Sequence, residues 1–316
     1  MRDSDAFTAT IAEASANDED LLRYLSLLLI PLGRLGFSTP ERAKRLFNLG
    51  ESMGVHILPT HFYSPVPNTA ELDASVWNQP FPFRCDDHAM EELIRELGLY
   101  ATELDDVAEK DAPGVFHWDN PSICRGDAFL NYSMLRHLRP TRVIEVGCGY
   151  STLLAREASR HTPFRLECIE PYPYDWLHGV PDELIELPIQ KVARERFSSL
   201  GSGDVLFIDS THVAKVGSDV VHLFLRVLPE LRPGVAVHIH DVFLPFEYAR
   251  AWVMEHHLFW NEQYLLAAFL QSNQDWEVLV GNSYAADRMP TALLEAFPGA
   301  NPPGGVSFWM RRKLGN

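Results

Sequence analysis

The sequence lacks the cysteine pattern of a disulfide-rich or zinc-binding protein. Its 316 residues include only four cysteines, with no CxxC pair among them: Cys85, Cys124, Cys148 and Cys168. Isolated cysteines of this kind predict neither a disulfide framework nor a structural zinc site. Free thiols in a reducing compartment are the better interpretation.

Basic residues are also scarce. The chain has 27 lysines and arginines against 43 aspartates and glutamates, which gives a formal net charge of −16. Nucleic-acid-binding proteins need a basic stripe that neutralises phosphates, and none is present. The composition therefore argues against tRNA, rRNA or DNA as a partner.

Long apolar runs are missing as well. The leucine-rich stretch 21–35 contains Arg23, Pro31 and Arg34, and it is shorter than the ~20 apolar residues of a membrane-spanning helix. It predicts a helix that is buried or lies between the two copies of a homodimer. Residues 1–5, Met-Arg-Asp-Ser-Asp, lack the apolar core of a signal peptide, so we expect a cytoplasmic protein.

What the chain does contain is an alternation of apolar strands and helices. This rhythm predicts an α/β domain in residues 116–316, with a doubly wound, mostly parallel, Rossmann-like sheet of seven strands. Residues 1–115 are interpreted as a helical N-terminal cap that serves substrate binding or oligomerisation. Continuous helices are predicted over residues 218–231 and 249–270.

The end of the chain predicts a reversal of strand direction. The last two strands are expected at residues 276–281 and 306–310, and the proline-rich connection between them holds at most a short helical turn. Parallel strands need a longer crossover, usually helical, so an antiparallel pair is favoured. This ending resembles the methyltransferase fold, whereas a dinucleotide dehydrogenase continues with parallel strands.

Residues 143–152, Val-Ile-Glu-Val-Gly-Cys-Gly-Tyr-Ser-Thr, carry the most informative motif. An apolar strand stops at Gly147 and Gly149, and Ser151 begins a helix, the arrangement that receives an adenosine-bearing ligand in open α/β sheets. The glycines let the ligand lie against bare backbone. Glu145 would repel a pyrophosphate but attract the ammonium group of a methionine moiety. The pattern resembles the first motif of class I S-adenosylmethionine (SAM) methyltransferases.

A second acid completes the predicted donor site. Glu170 ends the second strand, 21 residues after Gly149, which is the spacing expected for a carboxylate that accepts hydrogen bonds from ribose hydroxyls. The adenine is expected near Gln190. The residues predicted to bind SAM are Glu145, Gly147, Gly149, Tyr150, Ser151 and Glu170.

Titratable residues follow the fourth and fifth strands. Asp209 and His212 end one strand, and His238, His240 and Asp241 end the next, so we expect them to meet at the carboxyl edge of the sheet. Two roles stay open. Asp209, His240 and Asp241 could hold a divalent cation such as Mg²⁺, Mn²⁺ or Fe²⁺. Alternatively, His212 or His240, with Asp209 beside it, is the general base that removes a hydroxyl proton. His238 is expected to be structural.

The same region resembles a known family. Residues 204–246, with Phe-Ile-Asp-Ser-Thr-His, Pro-Gly-Val and His-Ile-His-Asp-Val-Phe-Leu-Pro-Phe, resemble a bacterial group of class I SAM-dependent methyltransferases known as methyltransferase-domain family 24. Residues 62–67 and 260–264 are similar to the same group, so the resemblance covers about residues 55–312. It implies that the residues of the glycine turn, together with Glu170, bind SAM.

The resemblance also bears on a metal. Related metal-dependent O-methyltransferases have acids at the positions of Asp209 and Asp241, but His240 stands where those enzymes usually have a carboxylate. The sequence thus predicts methyl transfer from SAM to a hydroxyl of a small molecule or glycan. The alternatives are a nucleotide (NAD)-dependent oxidoreductase or sugar-modifying enzyme on a Rossmann core, and a non-catalytic SAM-binding subunit.

Overall fold

The computed structural model describes residues 18–315, so the acidic segment 1–5 lies outside the described residues. The described residues divide into two compact units, with the boundary between Leu72 and Asp73. Within the described range, no helix is both long and apolar enough to cross a membrane. The functional boundary near residue 115 stays a prediction, since the structural division falls earlier in the chain.

The described part of the first unit has the α-helices α1 (Asp18–Pro31) and α2 (Pro40–Ser52), and a π-helical turn at Leu32–Gly36 follows α1. Thr39 caps α2 by accepting a hydrogen bond from the backbone N–H of Arg42. Proline follows at the first helical position, where its missing N–H costs nothing. These signals explain why α2 begins at Pro40.

The second unit is an α/β domain. Its helices are α3 (Asp87–Leu97), α4 (Arg125–Leu138), α5 (Tyr150–His161), α6 (Glu195–Ser198), α7 (Asp219–His222), α8 (Arg250–Met254), α9 (Glu262–Gln271), α10 (Asn282–Arg288) and α11 (Pro290–Ala296). Its strands are β1 (Arg142–Val146), β2 (Arg165–Ile169), β3 (Glu183–Ile185), β4 (Val205–Ile208), β5 (Ala236–Ile239), β6 (Trp276–Gly281) and β7 (Phe308–Arg312).

The seven strands form one sheet in the order β3-β2-β1-β4-β5-β7-β6. Strands β1 to β5 are parallel, whereas β7 lies between β5 and β6 and is antiparallel to both. The predicted seven-stranded, mostly parallel sheet with an antiparallel return is therefore confirmed. Because parallel strands end at one edge, the residues that follow β1, β2, β4 and β5 come together there.

Both faces of the sheet are covered, as a parallel sheet requires. Val143 of β1 packs into one apolar cluster with Ile94 and Leu130, from the helices on that side. Ile144, the next residue, packs into the other cluster with Phe224. Side chains alternate along a strand, so the nearly continuous apolar sequence of β1 fills both clusters.

Two predicted helices are interrupted in the structure. The expected helix 249–270 is two helices, α8 and α9, because the backbone N–H groups of Asn261 and Glu262 donate to the carbonyl oxygen of His212 at 3.0 and 3.2 Å. The expected helix 218–231 changes after α7 into a π-helical turn and a short 3₁₀ segment that contains Pro229. Proline cannot continue an α-helical hydrogen-bond ladder.

The last strand begins two residues later than predicted. The backbone N–H groups of Val306 and Ser307 donate to the carboxylate of Asp127, at 2.9 and 2.8 Å, so they do not pair with a strand. Two short helices, α10 and α11, occupy the connection for which a single short turn was expected. Neither change affects the strand order.

Asp204 ties the beginnings of β1 and β4 together. One oxygen of this buried carboxylate accepts from the backbone N–H groups of Thr141 and Arg142, at 3.0 and 2.8 Å, and from the Thr141 hydroxyl. The other oxygen accepts from the N–H of Gly201 at 2.8 Å. Each of these donors would lose its partner if the acceptor were removed.

We expect Asp204→Ala to lower the free energy of unfolding by about 2–4 kcal/mol, because several polar groups are left without partners. Urea denaturation followed by circular dichroism measures the change. The control is Asp175→Ala at an exposed position, which should change stability by less than about 0.5 kcal/mol. Equal stability of the two variants would contradict the role given to Asp204.

Candidate functional site

The two glycines of the turn serve different purposes. Gly147 has φ +79°, and a Cβ at this position would overlap the backbone carbonyl oxygen of Asp209. Gly149 is extended, and the nearest atom to a Cβ there would be a ring carbon of Tyr174 at 3.9 Å. The chain's own packing thus requires the first glycine. Only Gly149 fits the expectation of a glycine that keeps space open for a ligand.

Glu145 lies beneath the turn. Its side chain accepts a hydrogen bond from the Ser151 hydroxyl at 2.5 Å, and the thiol of Cys168 lies 3.6 Å from its second oxygen. Burial raises the pKa of this carboxyl to about 7, although the hydrogen bonds from Ser151 and Thr152 oppose the shift. A positive charge placed nearby would favour the ionised form.

A cleft of about 410 Å³ opens at the carboxyl ends of β1, β2 and β4. Its wall includes four of the residues named from the sequence: Gly147, Glu170, Gln190 and Asp209. Glu170 is half-buried, and its two oxygens accept from the backbone N–H groups of Tyr172 and Cys148, at 2.8 and 3.4 Å. The cleft therefore places an oriented carboxylate where a ribose was expected.

The other predicted donor-site residues lie around the cleft and do not line it. Glu145 and Ser151 are buried under the turn, and the ring of Tyr150 packs against His117 and Trp176 at centroid distances of 5.3 and 5.5 Å. A larger cavity of about 850 Å³ lies along β6, but none of the predicted site residues lines it. The smaller cleft is the better candidate site.

His212 lies in the loop after β4, with its ring almost fully buried. Its Nδ1 is 2.9 Å from Oε2 of Glu262, and its Nε2 is 3.3 Å from Oδ1 of Asp209 and 3.4 Å from Oδ2 of Asp241. Burial lowers the pKa of the ring, but the contacts with Asp209 and Glu262 outweigh it and raise the pKa of His212 to about 10. The imidazole is therefore protonated at neutral pH.

His240 is the second imidazole of a cluster of charged side chains around Asp209, which also contains His212 and Asp241. Its Nε2 is 3.6 Å from Oδ2 of Asp127, and its Nδ1 is 3.3 Å from Oδ1 of Asp241 and 3.9 Å from Oδ2 of Asp209. Burial disfavours the charged ring, yet these carboxylates raise the pKa of His240 well above its usual value. The structure thus brings together Asp209, His212, His240 and Asp241, as expected from the ends of β4 and β5.

Two carboxylates of the cluster were missed by the sequence analysis. Asp127, in the first turn of α4, also accepts from Asn282 at 2.9 Å, and although burial opposes ionisation, the contact with His240 holds the pKa of Asp127 far below its usual value. Glu262 begins α9 and is buried against His212. Both belong to helices distant in sequence from their partners, and only the family-like segment 260–264 pointed to one of them.

His238 differs from its neighbours. Its ring is fully buried between Phe207 and Trp309, with both centroid distances at 4.5 Å. Burial, reinforced by the charge of His240, lowers the pKa of His238 well below its usual value. A neutral, packed imidazole agrees with the structural role that the sequence predicts for it.

The cluster has the composition of a cation site. Its acids outnumber its two imidazoles: Asp127, Asp209, Asp241 and Glu262. Ligand atoms of Asp209, His240 and Asp241 lie within 4.8 Å of one another, and the ring nitrogens of buried His240 have no hydrogen-bond partner of good geometry. Oxygen and nitrogen donors at this spacing fit a divalent metal.

Backbone strain occurs at the same place. His212 and Asp241 have φ values of +60° and +59°, in the left-handed region that side chains other than glycine rarely adopt. Such conformations persist only where the surrounding structure holds them, and they concentrate at functional sites. Here they turn both side chains toward Asp209.

Three aromatic side chains form a row of ring contacts that begins at His212. The ring of Trp260 lies 4.2 Å from the imidazole, Trp252 lies 5.2 Å from Trp260, and Phe243 lies 5.1 Å from Trp252. All three are half-buried. We call Phe243, Trp252 and Trp260 the aromatic wall. It gives the charged cluster one apolar boundary.

One comparison with known proteins matches the segment that contains the glycine turn. Residues 144–242 match the model of a family described as a methyltransferase domain. An uncharacterized protein of Archaeoglobus fulgidus is 29% identical over 161 residues, which cover 45% of this chain and 72% of the relative. The matched family segment begins in β1 and ends after Asp241, so it contains the glycine turn and most of the cluster.

Solved structures of methyltransferases are similar only at a distance. The SAH-bound methyltransferase PaMTH1 of Podospora anserina is 20% identical, with 74% of this chain and 99% of that chain covered and a TM-score of 0.43. An O-methyltransferase of Bacillus cereus in complex with SAH is 12% identical, with 72% and 92% covered and a TM-score of 0.35. TM-scores this low give no evidence on the fold beyond what the strand order already shows.

The strand order, the glycine turn and the family match agree on the class. Residues 144–242 match a methyltransferase domain, and the strand order with its antiparallel β7 is the one that the resemblance to class I SAM-dependent methyltransferases predicts. The resemblance predicted from the sequence is confirmed. The antiparallel β7 and the match to a methyltransferase domain both argue against the alternative of an NAD-dependent oxidoreductase.

Glu262→Gln tests the charge of the cluster. We expect the pKa of His212 to fall from about 10, because one of the two carboxylates that raise it becomes neutral. A pH titration of the imidazole signals by NMR measures the shift, with exposed Glu255→Gln as the control that leaves it unchanged. An unaltered pKa in the Glu262 variant would contradict the contact between the two side chains.

Proposed function

We propose that this protein transfers the methyl group of SAM to a hydroxyl oxygen of a small molecule or glycan. The observation that carries the proposal is that Asp209 belongs both to the cleft and to the charged cluster. This residue lines the cleft at the ends of β1, β2 and β4, and its carboxylate also contacts His212 and His240. A donor in the cleft would then present its reactive group to the charged cluster.

The donor would be held by residues on both sides of the turn. Bound SAM supplies a methyl group that is already activated by a positively charged sulfur. Glu170 is placed to accept hydrogen bonds from ribose hydroxyls, and Gly149 leaves room above the turn. Glu145 supplies a carboxyl whose ionised form is stabilised by the ammonium group of the donor.

The proton of the acceptor hydroxyl would pass to His212. Glu262 holds Nδ1 of this ring, so Nε2 faces Asp209 and Asp241. His212 can act as a base only after its ring has lost the proton that it carries in the free protein. That loss requires positive charge from bound ligands, which then neutralises the neighbouring carboxylates in place of the imidazolium. Orientation of acceptor and donor then supplies the rest of the rate enhancement, since the leaving group needs no further activation.

Asp209, His240 and Asp241 are the residues that would hold a divalent cation, as part of the same proposal. Such an ion would lower the pKa of the acceptor hydroxyl. Carboxylates alone suit Mg²⁺, and the imidazole of His240 admits Mn²⁺ or Fe²⁺ as well. Since His240 is protonated in the free site, ion binding must release a proton.

The acceptor would lie against the exposed side of the aromatic wall, beside His212. Indole and phenyl faces pack well against flat rings, either of an aromatic compound or of a sugar. The net charge of −16 argues against a nucleic-acid acceptor. Free cysteines are in keeping with a cytoplasmic protein.

Glu145→Gln tests the donor site by calorimetry with S-adenosylhomocysteine. In the wild-type protein we expect affinity to weaken as pH falls below about 7, because the carboxyl of Glu145 becomes neutral there and no longer attracts the ammonium group. The variant should bind roughly tenfold more weakly at pH 8 and lose this pH dependence. Glu157→Gln on α5 is the control. Wild-type affinity that does not change with pH would contradict the assignment of Glu145.

The reaction itself is tested with SAM labelled with ¹³C in its methyl group, a panel of phenols and sugars, and Mn²⁺ or Mg²⁺. We expect a labelled methyl ether, and His212→Gln should lower its rate by roughly 10²–10⁴-fold. His178→Gln, at an exposed position, is the matched control. Labelled methyl on nitrogen or sulfur alone would refute an oxygen acceptor.

The same assay separates the metal from the rest of the proposal. Treatment with a chelator should abolish methyl transfer, and Asp241→Asn should weaken Mn²⁺ binding measured by calorimetry. Full activity after chelation would remove the metal from the mechanism but leave the base and the donor site in place.

A further inference from the structure

Two cysteines lie next to Glu145 beneath the glycine turn. Cys168 of β2 is paired in register with Glu145 of β1, so the two side chains share one face of the sheet. The positive φ of Gly147 bends the chain back, and Sγ of Cys148 lies 3.5 Å from the carbonyl oxygen of Glu145. Both sulfur atoms and a carboxylate oxygen of Glu145 lie within 4.8 Å of one another. We call Glu145, Cys148 and Cys168 the thiol cluster.

The spacing of these atoms is that of ligands around a tetrahedral metal ion. Zinc binds sulfur at about 2.3 Å and carboxylate oxygen at about 2.0–2.2 Å, so a sulfur and an oxygen on the same ion lie roughly 3.6 Å apart. Sγ of Cys168 lies 3.6 Å from Oε2 of Glu145. The other oxygen of Glu145 accepts a hydrogen bond from Ser151, and this bond orients the carboxylate.

Glu145 lacks a cationic partner in the part of the chain that the structure describes. Its carboxylate is buried, and no lysine, arginine or histidine there forms an ion pair with it. A buried charge without a partner is unfavourable, so the ionised form requires positive charge from a ligand. In the proposed function the ammonium group of SAM supplies this charge. When the donor is absent, a metal ion can supply it.

The ligand atoms of the thiol cluster select the kind of ion. Thiolates are soft ligands that favour Zn²⁺ and other thiophilic ions, whereas Mg²⁺ and Ca²⁺ prefer oxygen ligands. Binding releases one proton from each thiol, and the new thiolates neutralise the ion together with the carboxylate. The cluster of Asp209, His240 and Asp241 contains no sulfur ligand, so changes to the cysteines leave its ligands in place.

We propose that the thiol cluster binds a thiophilic divalent cation such as Zn²⁺, and that this ion and the methyl donor exclude each other. The glycine turn belongs to both the thiol cluster and the cleft: Gly147 lines the cleft, and the N–H of Cys148 donates to Glu170 on its wall. A bound ion takes the carboxylate of Glu145 that the ammonium group of the donor would use. The exclusion rests on the proposed role of Glu145, whereas ion binding rests only on the three ligands.

Cadmium binding by the reduced full chain tests the site, because cadmium–thiolate bonds absorb ultraviolet light. We expect the wild-type protein to show this absorbance with one Cd²⁺ per chain, and an excess of Mg²⁺ to leave it unchanged. Cys148→Ala and Cys168→Ala should each lower the Cd²⁺ affinity at least about 100-fold, since loss of an outer partner of a ligand alone costs roughly 10–100-fold. The control, Cys85→Ala with Cys124→Ala, keeps all three ligands and should bind Cd²⁺ like the wild type.

Glu145→Gln guards against unfolding of the cysteine variants, because it keeps both thiols in place. It should also weaken Cd²⁺ binding, and circular dichroism checks that each variant is folded. A wild-type protein without the absorbance would overturn the site. Equal Cd²⁺ affinity in the wild type and in Cys168→Ala would do the same.

Calorimetry with Zn²⁺ tests the exclusion. S-adenosylhomocysteine carries the same ammonium group as SAM, so at about 100 times its dissociation constant it should weaken the apparent Zn²⁺ affinity about 100-fold. A Zn²⁺ affinity that bound S-adenosylhomocysteine leaves unchanged would overturn the exclusion. A protein that binds Cd²⁺ through its thiols but fails to bind S-adenosylhomocysteine would refute the donor site of the proposed function and support the metal site alone.

Discussion

The close approach of β1 and β4 at Gly147 and Asp209 is the constraint on which the site depends. The N–H of Asp209 donates to the carbonyl of Val146 at 2.8 Å, and the N–H of Gly147 donates to the carbonyl of Ile169 at 3.0 Å. These bonds fix the ends of β1, β2 and β4 relative to one another. The carboxylate of Asp209 follows directly after β4, where it lines the cleft and also contacts the two imidazoles.

The charged cluster shows how a buried group of acids can be tolerated. Each imidazole lies between carboxylates from different elements: Glu262 and Asp209 for His212, and Asp127 and Asp241 for His240. Unpaired buried charges are expensive, so the protonated rings stabilise the acids in the free protein. The proton on each ring neutralises carboxylates that the proposed cation would neutralise when bound.

Much of the fold and part of the site could be predicted from the sequence. The glycine turn is a local pattern, and the convergence of His212 with His240 follows from the rule that parallel strands end at one edge. Asp127 and Glu262 could not be predicted, because their roles depend on how α4 and α9 pack. The interruption of helix 249–270 has the same origin: the carbonyl of His212 binds two N–H groups that periodicity alone assigns to a continuous helix. The raised pKa values of His212 and His240 depend on their contacts with Glu262 and Asp127, so they could not be predicted from the sequence either.

The insertion of β7 between β5 and β6 has a consequence for biosynthesis. Strand β6 reaches the sheet only through β7, which the ribosome makes after it. Until residues 308–312 have emerged, β6 has no neighbour and the edge of β5 is bare. A nascent chain must therefore keep an apolar strand and an open edge from associating wrongly during this interval, when aggregation is most readily initiated. Translation speed over the segment from α10 to β7 thus sets how long the chain is vulnerable.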